Sequence, residues 1–171
     1  MWKKVLIIIL LFFLFSLLQN SFFVHFDILG AAPNLVFVFF FLLSFFAKED
    51  MPYSFIFFAI TAGIFIDIFS YTYLGSSAVL FLVVGGLLKG VQSVLKSRDD
   101  SQPLVYFAPL FLVFFIIYEV LLSVYLRFID PAQTLMIFDL KFVVAAVYNL
   151  AFALIGFFIF KKFGTGNVKK V

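Results

Sequence analysis

The sequence predicts an all-α integral membrane protein, a bundle of six transmembrane helices that forms a single domain over residues 1–171. Hydrophobic residues make up 65% of the chain and charged residues only 12%, whereas a soluble domain is about half apolar and about a quarter charged. The apolar residues fall into runs that approach or reach the roughly 20 residues needed to cross a bilayer as a helix. No polar stretch exceeds a short loop, so the chain has no room for a soluble domain.

The first span follows Lys3 and Lys4 and resembles a signal peptide. Its apolar run is longer than that of a signal sequence, and no small-residue cleavage site follows closely, so we expect an uncleaved helix. Pro33 and Pro52 are expected in the first turns of the second and third spans, where a missing N–H does no harm. The six predicted spans are 5–24, 32–47, 52–70, 76–95, 104–126 and 140–160.

The distribution of basic residues predicts the orientation of the chain. Cytoplasmic loops of membrane proteins carry an excess of Lys and Arg. With six spans and both termini in the cytoplasm, only Arg127 and Lys141 fall on the outer side. The other ten of the 12 basic residues fall inside: Lys3, Lys4, Lys48, Lys89, Lys96, Arg98, Lys161, Lys162, Lys169 and Lys170.

Few residues of the chain could carry chemistry. His25 is the only histidine and there is no cysteine, which makes a zinc site improbable. No Gly-rich phosphate loop or metalloprotease motif is present. We therefore expect no catalytic residues, no metal and no cofactor. The formal charge of +3 does not indicate a nucleic-acid partner, because its placement in the loops already explains it.

The third span contains a carboxylate, Asp67, within an otherwise apolar run. A charge at the centre of a membrane helix costs about 2.5–3.5 kcal/mol on insertion scales unless it faces protein or water. Gly63, Asp67, Ser70 and Leu74 recur at spacings of four, three and four, so on a helix they share one face. We expect this face to lie inside the bundle, where it forms a structural core or a partner-binding site.

Two other spans carry polar residues at four-residue spacing. Glu119 lies on the fifth span, and Lys141 and Asn149 lie on the sixth. From their depths along the helices, we expect Asp67 to pair with Lys141 or Arg127. Glu119 is expected either to bond with Asn149 or to be protonated, since a neutral carboxyl is the less costly form of a buried acid.

The fourth span carries a small-x-x-x-small pair at Gly86 and Gly90. Small residues at this spacing let membrane helices approach closely. We expect this pair to pack against another helix of the chain, with a partner helix as the alternative.

The third span and the turn after it resemble the MreD family, the bacterial rod-shape-determining membrane proteins. The family pattern is G-x-x-x-D-x-x-S-x-x-P-L-G-x-x-A. The chain carries Gly63-x-x-x-Asp67-x-x-Ser70-x-x-x-Leu74-Gly75-x-x-Ala78.

Further residues bear on this resemblance. Gln19 near the end of the first span and Pro33-Asn34 before the second are also similar to the family. Tyr73 stands where the family often has proline, and Asn34 stands where it often has an acidic residue.

The resemblance implies a non-enzymatic role in the bacterial cytoplasmic (inner) membrane. Members of the MreD family bind MreC. They work with the actin-like MreB, the glycosyltransferase RodA and a class-B penicillin-binding transpeptidase in side-wall peptidoglycan synthesis. It also implies a fold similar to the S components of vitamin transporters. By the resemblance, Gly63, Asp67, Ser70, Leu74 and Gly75 are the residues that hold the partner or the core.

Two other functions remain open from the sequence. The chain could be the substrate-binding membrane component of a vitamin uptake transporter, although its first span has bulky residues where small ones spaced by four are common. A small ion channel or exporter would rest on Asp67 and Glu119 alone.

Overall fold

The computed structural model describes residues 2–47, 54–70, 73–96, 103–129 and 139–164. In this part of the chain all the regular elements are helices, and each predicted span contains one α-helix. A short 3₁₀ turn, Phe23–Phe26, follows the first of them. The α-helices are α1 (Trp2–Ser21), α2 (Leu35–Phe46), α3 (Ser54–Phe69), α4 (Ser76–Lys96), α5 (Pro103–Ile129) and α6 (Leu140–Gly164).

Four of the described helices, α1, α4, α5 and α6, are long and apolar enough to cross a membrane by length and composition. The other two are apolar but shorter, with 12 residues in α2 and 16 in α3. At 1.5 Å per residue, α2 is about 18 Å long, well below the roughly 30 Å of a hydrocarbon core. The N–H and C=O groups at the ends of these short helices therefore need hydrogen-bond partners from other parts of the chain.

The centre of the bundle is the shortest helix, α2. It lies against α1, α3, α4 and α6, and its aromatic rings also contact α5. Its residues are buried without a break from Leu35 to Leu42. A helix that is apolar all round is expected in such a fully enclosed position.

Phenylalanine rings fill the space around α2. The Phe37 ring lies 6.1 Å from Phe81, 5.5 Å from Phe115 and 4.9 Å from Tyr118, measured between ring centroids. These separations fall within the range of favourable edge-to-face and tilted aromatic pairs. Lipid tails are as apolar as these side chains, so close packing rather than water exclusion stabilises the bundle.

Successive helices run in alternating directions. One end of the bundle, here called the Asn34 end, brings together the last turns of α1 and α3 and the first turns of α2 and α4, with Tyr118 of α5 beside the start of α2. The opposite end, the Lys89 end, brings the last turn of α2 next to the second half of α4. This alternation follows from the short connections between neighbouring helices.

The helix ends differ from the predicted span limits where capping residues occur. Helix α2 begins at Leu35 because the Asn34 side chain accepts a hydrogen bond from the Phe37 N–H, at 3.0 Å, which is an N-cap. Pro33 thus precedes the cap, so the prediction that it occupies the first turn is wrong. The corresponding prediction for Pro52 lies outside the described residues.

Candidate functional site

The α3–α4 hairpin contains the residues of the MreD-like motif, and its helices cross closely at Gly63. A Cβ atom built on Gly63 would overlap the Cα and N atoms of Ala78 on α4. Only a glycine lets the two backbones approach this far. Gly63 is buried, and the residue that it contacts on α4 is the motif's own Ala78.

Asp67 on α3 is buried, with 4% of its surface exposed, and it caps the first turn of α4. Its carboxylate accepts hydrogen bonds from the Gly75 N–H (2.6 Å), the Ser76 hydroxyl (3.3 Å) and the Ser77 N–H (3.2 and 3.3 Å to its two oxygens). A helix N-terminus carries unpaired N–H groups and a partial positive charge. The buried carboxylate is therefore stabilised by backbone groups of the neighbouring helix.

The expected ion pair between Asp67 and Lys141 or Arg127 is absent from the described part of the chain. Arg127 lies exposed near the end of α5. The Lys141 ammonium instead lies beside Gly30, 3.6 Å from the position of a Cβ on that residue. The error arose because the prediction considered charged side chains and left out the N–H groups of α4.

The remaining motif residues divide between the hairpin turn and its surface. Gly75 has a φ of +96°, a left-handed conformation that glycine adopts without a steric penalty, and this places its N–H against Asp67. Ser70 donates a hydrogen bond to the Ile66 carbonyl at 2.7 Å. Leu74 is 74% exposed in the turn, so it does not share the buried face of Gly63 and Asp67.

A second polar cluster surrounds the first turn of α2. The Asn149 side chain on α6 accepts a hydrogen bond from the Asn34 N–H at 2.7 Å and donates one to the Ala145 carbonyl at 2.8 Å. Gln19 on α1 accepts a longer hydrogen bond from the Val36 N–H at 3.4 Å. Side chains of two other helices thus satisfy the N-terminal N–H groups of α2.

The expected bond between Glu119 and Asn149 is also absent. Both residues lie in the described part of the chain, and the Asn149 side chain instead accepts the hydrogen bond from the Asn34 N–H. Glu119 is partly exposed on α5, next to Tyr118, which is almost fully buried beside Phe37. Glu119 therefore lies outside the hydrogen-bonded set around α2.

Side chains of α4 hydrogen-bond the last carbonyl groups of α2 at the Lys89 end. Lys89 donates to the Ser44 carbonyl at 2.7 Å, and Gln92 donates to the Phe45 carbonyl at 3.2 Å. From the sequence, Lys89 was used only to predict the orientation of the chain in the membrane, and Gln92 was not predicted as a site residue. The available signal was a lysine and a glutamine inside an apolar run, where polar side chains require partners.

A further link joins α1 to α3. The hydroxyl of Ser16, which is fully buried, donates a hydrogen bond to the Phe65 carbonyl at 3.1 Å. Ser16 interrupts a bulky apolar span in the sequence, which was the signal for this contact. The buried polar side chains of the bundle are therefore joined mainly to backbone groups.

The glycines of α4 are used differently from the prediction. A Cβ on Gly85 would meet rings of Phe55 and Phe40 at 2.9 and 3.0 Å, so this glycine faces the bundle. Gly86 and Gly90 have no described atom within 4 Å of such a Cβ, and both are exposed. The expected packing of this pair within the chain is therefore wrong for the part that the structure describes.

Beside the exposed glycines, α4 and α5 enclose an open apolar groove of about 430 Å³. Leu87 and Val91 form its α4 wall, and Pro109 and Val113 belong to its α5 wall. Pro109 lies inside α5, where its ring replaces a backbone N–H. The groove and the two glycines form one continuous lateral surface, here called the α4–α5 face.

Two further features of the described residues concern metal ligands and histidine contacts. No group of three or more His, Cys, Asp or Glu residues among them could hold a metal ion. His25 is exposed, and its Nδ1 lies 3.0 Å from the Ser21 carbonyl oxygen. The polar groups of the site are arranged to satisfy helix ends.

The chain was compared with protein-family models, curated proteins and solved structures, and it matches none of them.

Proposed function

We propose that the chain is a non-enzymatic membrane component of the bacterial cell-elongation machinery, similar to MreD. The observation that carries the proposal is that Gly63, Asp67, Gly75 and Ala78 of the motif form one structural unit. Gly63 permits the close α3–α4 crossing, and Asp67 fixes the start of α4 through Gly75 and Ser77. These contacts hold α3 and α4 together as a helical hairpin, which suits a protein that acts by binding others.

We further propose six crossings, with both termini in the cytoplasm of a bacterial cell. The loop charges favour this orientation. The hydrogen bonds at both ends of α2 support a crossing by a helix shorter than the hydrocarbon core, because they satisfy backbone groups at membrane depth. Cysteines placed at Lys3 and Lys162 should both react with a membrane-impermeant reagent from the same, cytoplasmic side.

The proposed partner surface is the α4–α5 face. It combines an open apolar groove with two exposed glycines, Gly86 and Gly90, that would let a second backbone approach. We propose that a transmembrane helix of MreC binds here. RodA, the class-B transpeptidase and MreB would join through the same assembly.

The test is a mild-detergent affinity purification of the tagged chain from its native cells, with mass spectrometry of the co-purifying proteins. We expect MreC, RodA or the transpeptidase with the parent chain. Gly86→Leu should reduce MreC recovery severalfold because it fills the open surface. Ala151→Leu is the matched control, since it enlarges another exposed small residue on α6.

Two outcomes would contradict these proposals separately. Recovery of an ATP-driven transport module without any cell-wall protein would favour the vitamin-transporter alternative. Undiminished MreC recovery with Gly86→Leu would exclude the α4–α5 face as the docking surface while leaving the elongation role intact.

A further inference from the structure

The segment between α1 and α2 has an unusual surface for a connecting loop. This segment, residues 22–31, exposes large apolar side chains along most of its length. Leu29 is 65% exposed. The exposed set is Phe22, Val24, Phe26, Ile28 and Leu29. Contiguous exposed apolar surface of this kind marks an interaction site.

The 22–31 segment lies along the side of α6 and does not cover the end of the bundle. The Phe23 ring lies 5.3 Å from that of Phe152. The Tyr148 hydroxyl donates to the Phe26 carbonyl at 3.4 Å, and Gly30 lies beside Lys141. These α6 contacts extend over about 16 Å at 1.5 Å per residue, within a helix long and apolar enough to span a membrane.

Part of the segment's backbone is paired within the segment or with the end of α1. The Phe22 and His25 N–H groups donate to carbonyls four and three residues earlier. Ile28 and Ala31 exchange both of their backbone hydrogen bonds, at 3.0 and 2.9 Å, around a turn at Leu29 and Gly30. Such internal pairing is what non-helical backbone requires at membrane depth.

The polar side chains near the segment also turn back onto the backbone. The Ser21 hydroxyl donates to the Leu17 carbonyl at 2.6 Å, and His25 Nδ1 lies 3.0 Å from the Ser21 carbonyl oxygen. Ser21 and His25 thus point to the chain while the large apolar side chains point away from it; the charged Asp27 is the exception and is exposed. A loop in water exposes mainly polar side chains.

We propose that the 22–31 segment is inserted into the boundary between headgroups and acyl chains of the bilayer, with its apolar side chains in contact with lipid. The bilayer is the favoured occupant because the segment continues two lipid-type surfaces. It follows α1, which exposes Leu10 and Leu14 along its side, and it borders α6, where Leu140 and Val143 are exposed. Interfacial elements are held by apolar side chains that reach roughly 5–10 Å into this boundary.

The test uses the natural absence of cysteine from the chain. Single cysteines replace Leu29 and Val24, are labelled with a nitroxide, and are examined in phosphatidylcholine–phosphatidylglycerol vesicles. Leu14→Cys on α1 provides the lipid reference and Lys3→Cys the aqueous reference, as both positions are exposed. The readout is the relaxation enhancement by oxygen, which concentrates in lipid, relative to that by a water-soluble nickel complex.

At Leu29 and Val24 we expect oxygen-to-nickel ratios that lie severalfold above that of Lys3 and below that of Leu14, because the boundary is shallower than the interior that α1 crosses. Ratios equal to that of Lys3 would place the segment in water and overturn the proposal. Low access to both reagents would also overturn it, because the segment would then be covered by protein. Spin–spin broadening in that case would identify a second copy of the chain as the cover.

Discussion

Replacing Asp67 tests whether its carboxylate holds the α3–α4 hairpin together. Asp67→Ala removes the acceptor for the Gly75 and Ser77 N–H groups and the Ser76 hydroxyl. A buried donor left unsatisfied costs about 1–3 kcal/mol, and loss of an N-cap costs about 0.5–2 kcal/mol. These contributions overlap, so we expect a loss of roughly 2–4 kcal/mol in the free energy of unfolding.

Asp67→Asn provides a graded comparison. The amide keeps one oxygen for the Gly75 or Ser77 N–H but loses the charge that favours a helix N-terminus. We therefore expect a smaller loss, about 1–2 kcal/mol. Asp27→Asn, at an exposed position, is the matched control and should be within about 0.5 kcal/mol of the parent.

The assay is reversible unfolding of the purified chain in mixed micelles titrated with sodium dodecyl sulfate. It gives free energies for the parent and all three variants under one condition. The capping role of Asp67 is refuted if the alanine variant lies within about 0.5 kcal/mol of the parent. An asparagine variant less stable than the alanine variant would also contradict it, since the amide retains an acceptor.

The same unfolding assay tests two further contacts. Gly63→Ala should lower the free energy of unfolding by about 1–3 kcal/mol, because its Cβ would force α3 away from the backbone of Ala78. Gly86→Ala, with open space at its Cβ, is the control and should be neutral or slightly stabilising. Equal effects of the two substitutions would exclude a close crossing at Gly63. Asn149→Leu should lower the free energy of unfolding by about 1–3 kcal/mol, because the Asn34 N–H at the start of α2 loses its acceptor. An unchanged stability would show that this N–H finds another partner.

The positions of the helices were predictable because apolar runs and loop residues are directly visible in the sequence. Their ends were less predictable, since they depend on individual caps. Asn34 starts α2 three residues later than the run of apolar residues suggests. Helical spacing also placed Leu74 on the face of Asp67, but α3 ends at Phe69, so the periodicity no longer applies there.

Two buried polar residues were expected inside the bundle, but their hydrogen-bond partners were not predicted. Asp67 and Asn149 are buried as expected, but each contacts backbone N–H groups. Pairing by charge and depth could not reveal this, because every helix offers such groups at its start and the sequence does not specify which helix end lies nearby. Only the three-dimensional placement of α2 and α4 shows which N–H groups need an acceptor.

The hydrogen bonds at the ends of α2 have a consequence for how the protein is made. The acceptor at its first turn, Asn149, lies 115 residues further along the chain, and its donor Lys89 lies 45 residues beyond Ser44. Both are synthesised after α2, and Asn149 only with the last described helix. The central helix therefore acquires its final environment only when that helix arrives, so assembly of the bundle ends at its centre.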